Sequence, residues 1–425
     1  MSDSAPTRAP RSHIWRALSN RNYLLYFAGQ GVSLVGTWLQ QTTMTWLVYR
    51  LTGSSWMLGV VGFAGQVPAF LMAPIAGVFS DRFPRRQALI ATQILAMTQA
   101  AIIAWLAFTG RIAVWHLVAL TAFLGAVNAY DITLRQAFVT ELVTDPADLG
   151  NAIALNSTLV NGARLLGPSI AGLIIPLVGE AWGFALNAVS YAAVIAALCA
   201  MDIKPRERVS SGKRLGADIA EGFRYAFGSQ PVRAILCLLA IMSFAGMPYL
   251  VLLPVFARDI LKGGAGMLGI LSASSGFGAL GAGLHLASRS SGHGLGRFAM
   301  LGAVGFGASL VVFASSSAIP LSMAALALGG YSMMGTATAC NTILQTLVED
   351  RMRGRVMSLY LMAFMGLAPI GSLVAGALAD RIGARTTLQI GGAFVIVAGA
   401  FFGSRLERLR EHARPVYQSK ENLPE

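Results

Sequence analysis

The chain has 425 residues, of which 55% are apolar and only 12% are charged. Soluble domains carry about 25% charged residues, so this composition excludes a soluble enzyme, whose surface could not be covered with so few charges. The formal net charge of +13 indicates either a nucleic-acid partner or an excess of Lys and Arg in the loops on one side of a membrane.

Long stretches almost without charged residues follow one another along the chain, and each has the length of a membrane-spanning helix. The predicted spans, in order, are residues 22–49, 51–80, 87–110, 117–130 with a continuation that carries Asp131 and Arg135, 149–179, 181–201, 234–257, 263–284, two spans within 298–348, 356–379 and 386–404. The turn signal from Ser315 to Pro320 divides the uncharged run 298–348. Because barrel strands need only about 10 residues, the sequence predicts twelve transmembrane helices.

The longest polar stretch, residues 202–233, separates six spans from six. Apolar residues at helical spacing over 215–227 predict an amphipathic surface helix within it. The predicted organisation is an N-terminal tail (1–21), a first six-helix half (22–202), a linker (203–232), a second six-helix half (233–404) and a C-terminal tail (405–425).

The basic residues divide unequally between the two sides of these spans. With the N-terminus inside, 25 of the 32 Lys and Arg lie in the tails, the linker and the inner loops, and six lie in outer loops. Basic residues concentrate on the cytoplasmic side of membrane proteins, so we expect both termini in the cytoplasm. This distribution accounts for the net charge without nucleic acid.

Small residues repeat between the halves at an offset of 204 residues. The matching pairs are Gly150 and Gly354, Gly162 and Gly366, Gly167 and Gly371, Ala171 and Ala375, Gly172 and Gly376, and Gly179 and Gly383. The second and eighth spans also share Met57-Leu58-Gly59 and Met267-Leu268-Gly269. A parallel repeat predicts two halves related by a pseudo-two-fold axis, with a substrate site between them that opens to each side in turn.

The loop after the second span combines one acid with several arginines. Its marked residues are Gly77, Asp81, Arg82, Arg85 and Arg86. We predict a charge cluster that latches the halves in one state. The alternative, plain positive-inside charge, explains the arginines but not the acid.

Three charged residues fall inside or at the ends of spans, where charge is costly and indicates function. Asp131 and Arg135 lie four residues apart on one helix face, so they form either a surface ion pair or a proton-titrating pair. Arg164 is predicted to act in coupling, unless it reaches the surface or pairs with Asp145 or Asp148.

Polar side chains within the spans avoid lipid, so they face a cavity or another helix. The candidates for a substrate cavity are Gln30, Thr37, Gln40, Gln41, Asn128, Tyr249, Tyr331, Asn341 and Gln345. Core packing is the alternative for each. The scattered Cys and His residues indicate no metal site, and no ATP-binding loop is present, so the energy source is an ion gradient, or transport is passive.

The loop Gly77–Arg86 resembles the signature loop of the major facilitator superfamily, with Pro84 in place of a glycine. The residues Gly162, Gly167, Pro168, Ala171 and Gly172 resemble its antiporter motif, which is associated with export. Segments such as 135–143, 151–157 and 353–358 are similar to the enterobactin-exporter and macrolide-efflux branch. The resemblance implies a twelve-helix fold with spans 1, 4, 7 and 10 around the cavity.

The function that we expect is therefore proton-driven export of a medium-sized, partly apolar molecule such as a siderophore, an antibiotic or a related metabolite. The protein would be a non-enzymatic monomer without a cofactor in the bacterial cytoplasmic membrane. Two alternatives stay open: an importer or a transporter of lysophospholipid or other lipid on the same fold, and a non-transporting membrane sensor or scaffold.

Overall fold

A computed structural model describes residues 16–80, 84–142, 146–202, 215–288 and 294–408. Every regular element within these ranges is a helix. Helices are the expected solution for long apolar runs, because a backbone in lipid has to satisfy its N–H and C=O groups within the segment.

Six long helices form the first half of the molecule. They are α1 (Arg21–Thr52), α2 (Ser55–Ser80), α3 (Arg85–Phe108), α4 (Val114–Leu142), α5 (Pro146–Val178) and α6 (Glu180–Ala200). Asn20 begins α1, because its side-chain oxygen accepts hydrogen bonds from the backbone N–H groups of Asn22 (2.9 Å) and Tyr23 (3.3 Å). Gly53 ends α1 in the left-handed conformation, with φ of 61°.

One linker helix, α7 (Leu215–Gly228), comes next, and the described part of the second half then contains eight helices, because two of its six spans are interrupted. The eight helices are α8 (Gln230–Ile241), α9 (Tyr249–Val255), α10 (Ala265–Ala287), α11 (Leu295–Ser315), α12 (Ile319–Leu347), α13 (Asp350–Leu361), α14 (Ala368–Ile382) and α15 (Ala384–Ser404). A π-helical segment at Met242–Gly246 follows α8 within the seventh span, and one at Met362–Gly366 follows α13 within the eleventh. Such wider turns often mark functional sites.

Nine helical segments of the described residues are long and apolar enough to cross a membrane. α1, α2 and α12, of 32, 26 and 29 residues, also have spanning length, and together the described helices make the twelve predicted spans. Because the spans alternate in direction, both ends of the described chain lie at one face, here called the terminal face. The other is called the opposite face.

Within the first half, α1 packs on α5 and α6, and α3 packs on α4 and α6. In the second half, α12 packs between α10 and α11, and α15 packs on α11. The two most extensive contacts between the halves join α2 with α14 and α5 with α10. The linker helix α7 lies on α13, where Glu221 forms ion pairs with Arg355 (2.6 Å) and Arg351 (3.6 Å).

Glycines that the repeat relates make equivalent contacts inside the two halves. A methyl group on Gly167 of α5 would lie 2.8 Å from the backbone oxygen of Val35 in the first span. One on Gly371 of α14 would lie 2.1 Å from the backbone oxygen of Phe244 in the seventh span. The fifth span therefore lies against the first as the eleventh lies against the seventh, which agrees with the repeat.

The contacts between the halves follow the same symmetry. A methyl group on Gly269 of α10 would lie 2.6 Å from Cα of Gly172 in α5. One on Gly376 of α14 would lie 3.0 Å from Cα of Gly59 in α2. Both pairs lie toward the opposite face, and at both the helix backbones touch because no side chain keeps them apart.

Candidate functional site

The residues that resemble an antiporter motif divide between two packing surfaces of α5. Gly167 contacts α1 of its own half, whereas Gly172 and the backbone oxygen of Pro168 face Gly269 of the other half. Ala171 is fully buried, and the space around Gly162 is open. The motif thus allows α5 to pack closely against α1 of its own half on one side and against α10 of the second half on another.

A small cavity of about 40 Å³ lies between the halves, next to this motif. Its lining is Trp38, Gln41, Thr42 and Thr45 of α1, Arg164 and Pro168 of α5, Leu250 and Leu253 of α9, and Leu268, Ser272 and Ser275 of α10. The guanidinium of Arg164 lies over the indole ring of Trp38, 5.4 Å from the ring centre. Such a volume holds only a few water molecules, and Gln41 in its lining is exposed.

Polar contacts from both halves close the opposite face above this cavity. The phenol of Tyr49 in α1 donates a hydrogen bond to the carboxylate of Asp259, which follows α9. The guanidinium of the neighbouring Arg258 lies 5.7 Å from the centre of the Tyr49 ring. Gln41 lies about two turns of α1 further from this face than Tyr49.

A second closing contact joins α14 to α2 at the same face. The carboxylate of Asp380 accepts hydrogen bonds from the backbone N–H groups of Ser55 (2.7 Å) and Trp56 (3.1 Å) and from the hydroxyl of Ser54 (2.9 Å). An acid at a helix N-terminus accepts hydrogen bonds from the free N–H groups of that helix and interacts favourably with the helix dipole. Asp380 therefore caps a helix of the other half.

Replacing Asp380 by alanine is expected to open the opposite face more often, because the cap across the halves is lost. A cap is worth about 1 kcal/mol, which corresponds to about a fivefold shift in population. In a protein whose Cys199, Cys237 and Cys340 are changed to serine, Gln41 is replaced by cysteine. The measurement is the rate at which a membrane-impermeant maleimide, added from the opposite face, labels this cysteine. Asp380→Asn, which retains a capping oxygen, should give a smaller increase, and equal rates in all three proteins would contradict the assignment.

At the terminal face, the two described arginines of the predicted latch contact residues of their own half. Arg85 pairs with Glu141 of α4, and Arg86 donates a hydrogen bond of 2.8 Å to the backbone oxygen of Cys199 in α6. Of the other predicted latch residues, Gly77 lies in the last turns of α2. Asp81 and Arg82 lie outside the described residues, so the latch between the halves stays a prediction.

The pair Asp131 and Arg135 is buried in the first half and does not lie on the surface. Asp131 is only 6% exposed, and one oxygen of its carboxylate forms an ion pair with Arg135. The other oxygen accepts hydrogen bonds from the Gln93 side chain (2.6 Å) and the Thr92 hydroxyl (2.9 Å), both on α3. The Thr92 hydroxyl also lies 2.8 Å from the backbone oxygen of Leu89.

Gln40 belongs to a separate polar network in the core of the first half. Its amide donates to Gln99 (3.1 Å), and its oxygen accepts from Asn187 (2.8 Å), which contacts Ser190 (2.9 Å). Gly36 leaves the space that Asn187 and Ser190 occupy, since a methyl group there would lie 2.3 Å from the Ser190 hydroxyl. Gln40 thus fastens α1 to α3 and α6.

The remaining predicted cavity residues are spread over both halves. Gln41 lines the small cavity, and the Tyr249 hydroxyl lies 2.6 Å from that of Ser275 at its edge. In the first half, the Thr37 hydroxyl donates a hydrogen bond within its own helix, Gln30 is buried and Asn128 is half-buried. In the second half, Tyr331 stacks on His285, and the Gln345 amide donates a hydrogen bond to Asn341 (2.5 Å). Of these predicted residues, Gln41 lines the cavity together with Arg164, and Tyr249 contacts the lining residue Ser275.

Several residues that complete these arrangements were missed from the sequence. They are Thr92, Gln93, Glu141, Tyr49, Asp259 and Asp380. The signal available for Gln93 was a polar pair inside the apolar third span. For Asp380 no local signal exists, because its partner Ser55 lies 325 residues away.

The profile of the transmembrane secretion effector family matches residues 13–425, almost the whole chain. The chain belongs to this family of the major facilitator superfamily. It is thus a multi-pass membrane protein of a bacterial efflux family, and the predicted fold and branch are confirmed.

Relatives of this family member are efflux-type transporters that align over most of their length. The staphyloferrin A transporter of Staphylococcus aureus is 24% identical and aligns over 86% of this chain and 92% of its own. The multidrug efflux pump Tap of Mycobacterium tuberculosis is 27% identical over 91% and 92%. Macrolide efflux protein A of Streptococcus pyogenes is 24% identical over 87% and 92%.

A bacterial homologue of the human lysosomal transporter Spinster, solved in an inward-facing and occupied conformation, has the same fold. Its TM-score is 0.71 at 13% identity, and the match covers 93% of this chain and 98% of that one. The likeness shows the major facilitator fold.

Proposed function

We propose that this family member is a proton-driven exporter of a medium-sized, partly apolar molecule. The observation that carries the proposal is Asp131, a carboxylate buried inside a membrane span beside an arginine. Buried acids within spans are costly and mark proton or ion pathways. The efflux-type relatives support the direction of transport.

The surroundings of Asp131 offer hydrogen bonds to both of its protonation states. As a carboxylate, it accepts from Gln93, Thr92 and Arg135. Once protonated, it can donate to the Thr92 hydroxyl, because that hydroxyl can turn its own hydrogen to the Leu89 backbone oxygen, 2.8 Å away. Protonation then removes the negative charge opposite Arg135, and the free guanidinium drives a rearrangement of α4.

The exchange between faces uses the contacts between the halves. In the conformation described, the glycine seams and the polar contacts of Tyr49 and Asp380 close the opposite face. Breaking them and closing the terminal face would expose the cavity to the other side, which is alternating access. Arg85, Arg86 and the loop after α2 would then act as the latch at the terminal face.

The terminal face is proposed to lie in the cytoplasm, because most Lys and Arg belong to it. The protein would act as a monomer in the cytoplasmic membrane, without a cofactor and without enzymatic activity. The cargo is a siderophore, an antibiotic or a metabolite that resembles them.

The test compares a deletion strain with its parent by profiling extracellular metabolites, under iron limitation and against an antibiotic panel. Export predicts that at least one compound accumulates less outside the deletion strain, or that susceptibility to one antibiotic rises. Complementation with the wild-type gene should restore the parental profile. An unchanged profile and unchanged susceptibility would favour a sensor or scaffold.

A lipid or lysophospholipid transporter is the second candidate, because of one apolar groove. It measures about 640 Å³ and lies on the outer side of the contact between α5 and α10, with α12 as its third wall. Leu173 and Phe277 in its lining are exposed by 67% and 66%, so within a bilayer they contact acyl chains. Loss of labelled lysophospholipid uptake in the deletion strain, with metabolite export unchanged, would favour this candidate.

A further inference from the structure

Arg164 lies near the middle of the fifth span, far from both ends of α5. It follows Pro146 by eighteen residues and precedes Val178 by fourteen. At 1.5 Å per residue, these separations are about 27 Å and about 21 Å. Since an arginine side chain is far shorter than either distance, its guanidinium reaches neither end of α5.

No carboxylate of the described residues lies within ion-pair distance of Arg164. Asp148, the acid of α5 considered as its partner from the sequence, pairs with Arg16 at 2.7 Å. The indole of Trp38 attracts the guanidinium, and such a contact contributes about 0.5–2 kcal/mol, but it does not neutralise the charge. A cation at this depth is costly without an anion.

Arg164 lies at the boundary between the two halves, where a transported molecule would bind. A methyl group on Gly276 of α10 would lie 2.9 Å from the backbone oxygen of Arg164, so the two halves touch at this residue. Its side chain lines the cavity to which both halves contribute. A ligand that enters this cavity therefore meets Arg164 at the boundary of the halves.

We propose that Arg164 is the oxyanion-binding residue of the transport site, and that the cargo carries a carboxylate or phosphate group. This inference rests on the proposed function, because it names the class of molecule exported. The guanidinium fork binds either group through two parallel hydrogen bonds. Trp38 and Leu250 offer an apolar surface to the rest of the molecule, and Gln41 supplies a further polar contact.

The test measures binding to the purified full-length protein in detergent, without any gradient, by equilibrium dialysis. Three probes share one naphthalene ring: 1-naphthylacetate, 1-naphthyl phosphate and the neutral 1-naphthylacetamide. The wild type should bind at least one anion about tenfold more tightly than the amide, a difference of about 1.4 kcal/mol. Arg164→Gln should abolish this preference, and Arg164→Lys should retain part of it.

Arg111→Gln is the matched control, because it removes the same charge from an exposed turn between α3 and α4. It should bind all three probes as the wild type does. The two anionic probes decide between a carboxylate and a phosphate. Equal binding of the three probes by the wild type, absence of binding, or an unchanged preference in Arg164→Gln would overturn the proposal.

The outcome is independent of the proposed export. Anion binding through Arg164 together with an unchanged extracellular profile in the deletion strain would retain this site and reject export. A changed profile without anion preference would retain export and reject the oxyanion site.

Discussion

Replacing Asp131 by asparagine is expected to abolish uphill transport driven by a proton gradient, with a fall of at least about tenfold in the initial rate. The amide has nearly the size of the carboxylic acid, but it cannot take up or release a proton at the relevant pH. Gln93 and Thr92 retain acceptors, whereas Arg135 loses its counter-charge. The measurement is accumulation of the exported compound in inverted vesicles with an imposed proton gradient.

The loss of a buried counter-charge also threatens the fold, since breaking a buried ion pair costs about 3–5 kcal/mol. The double variant Asp131→Asn with Arg135→Gln separates loss of proton coupling from loss of stability, because it contains neither charge of the pair. It should be purified as a stable protein and should still exchange labelled for unlabelled substrate without a gradient. Proton-driven accumulation should stay absent.

Normal uphill transport by the double variant would contradict a coupling role for Asp131 and would leave the pair as a structural contact. Arg85→Gln is the control for loss of a different ion pair. Arg85 pairs with Glu141 in the same half at the terminal face, so its loss should leave the response to the proton gradient intact.

Replacing Gly269 by alanine is expected to increase labelling of a cysteine at Gln41 from the opposite face by about tenfold or more. The added methyl group would lie 2.6 Å from Cα and 2.9 Å from the backbone nitrogen of Gly172, so the α5 and α10 backbones have to separate. Overpacking of this kind costs about 1–3 kcal/mol. Because the two helices belong to different halves, that energy disfavours the state closed at this face.

The repeat provides an internal check of this result. Gly59→Ala in α2 should act in the same direction, since its methyl group would lie 2.7 Å from the backbone oxygen of Ser372 in α14. Gly283→Ala is the matched control in α10, where the added methyl group meets nothing within 4 Å. An equal labelling rate for the Gly269, Gly59 and Gly283 variants would show that the glycine seams do not govern closure.

Much of the fold was predictable because the bilayer restricts the length and the composition of every segment that crosses it. A span has to be long and apolar, so twelve spans, two halves and the linker could be predicted by inspection. The repeat of small residues was also visible, and Gly172 and Gly376 make equivalent contacts with Gly269 and Gly59. Small residues are needed where helix backbones meet, so such contacts leave a pattern that can be seen in the sequence.

The candidate site was predicted less completely. The sequence indicated Asp131, Arg135 and Arg164 as one group of candidates, because a charge within a membrane span is costly and indicates function. The structure separates them: Asp131 and Arg135 lie against α3 within one half, whereas Arg164 lies at the boundary with the other half, over Trp38. Similarly, Gln40 was predicted for the cavity but bonds to Gln99 and Asn187 within the first half.

The sequence alone determined the class of protein, the number of spans, the internal repeat and the charges to consider, since each depends on the local order of apolar, small and charged residues. Only the tertiary structure decided the partners: Asp131 with Gln93, Asp380 with the N-terminus of α2, and Arg164 with Trp38. The physical reason is that a partner depends on the rotation of each helix about its axis and on which helices pack together. Those are properties of the assembled bundle, in which contacts join residues as many as 326 positions apart.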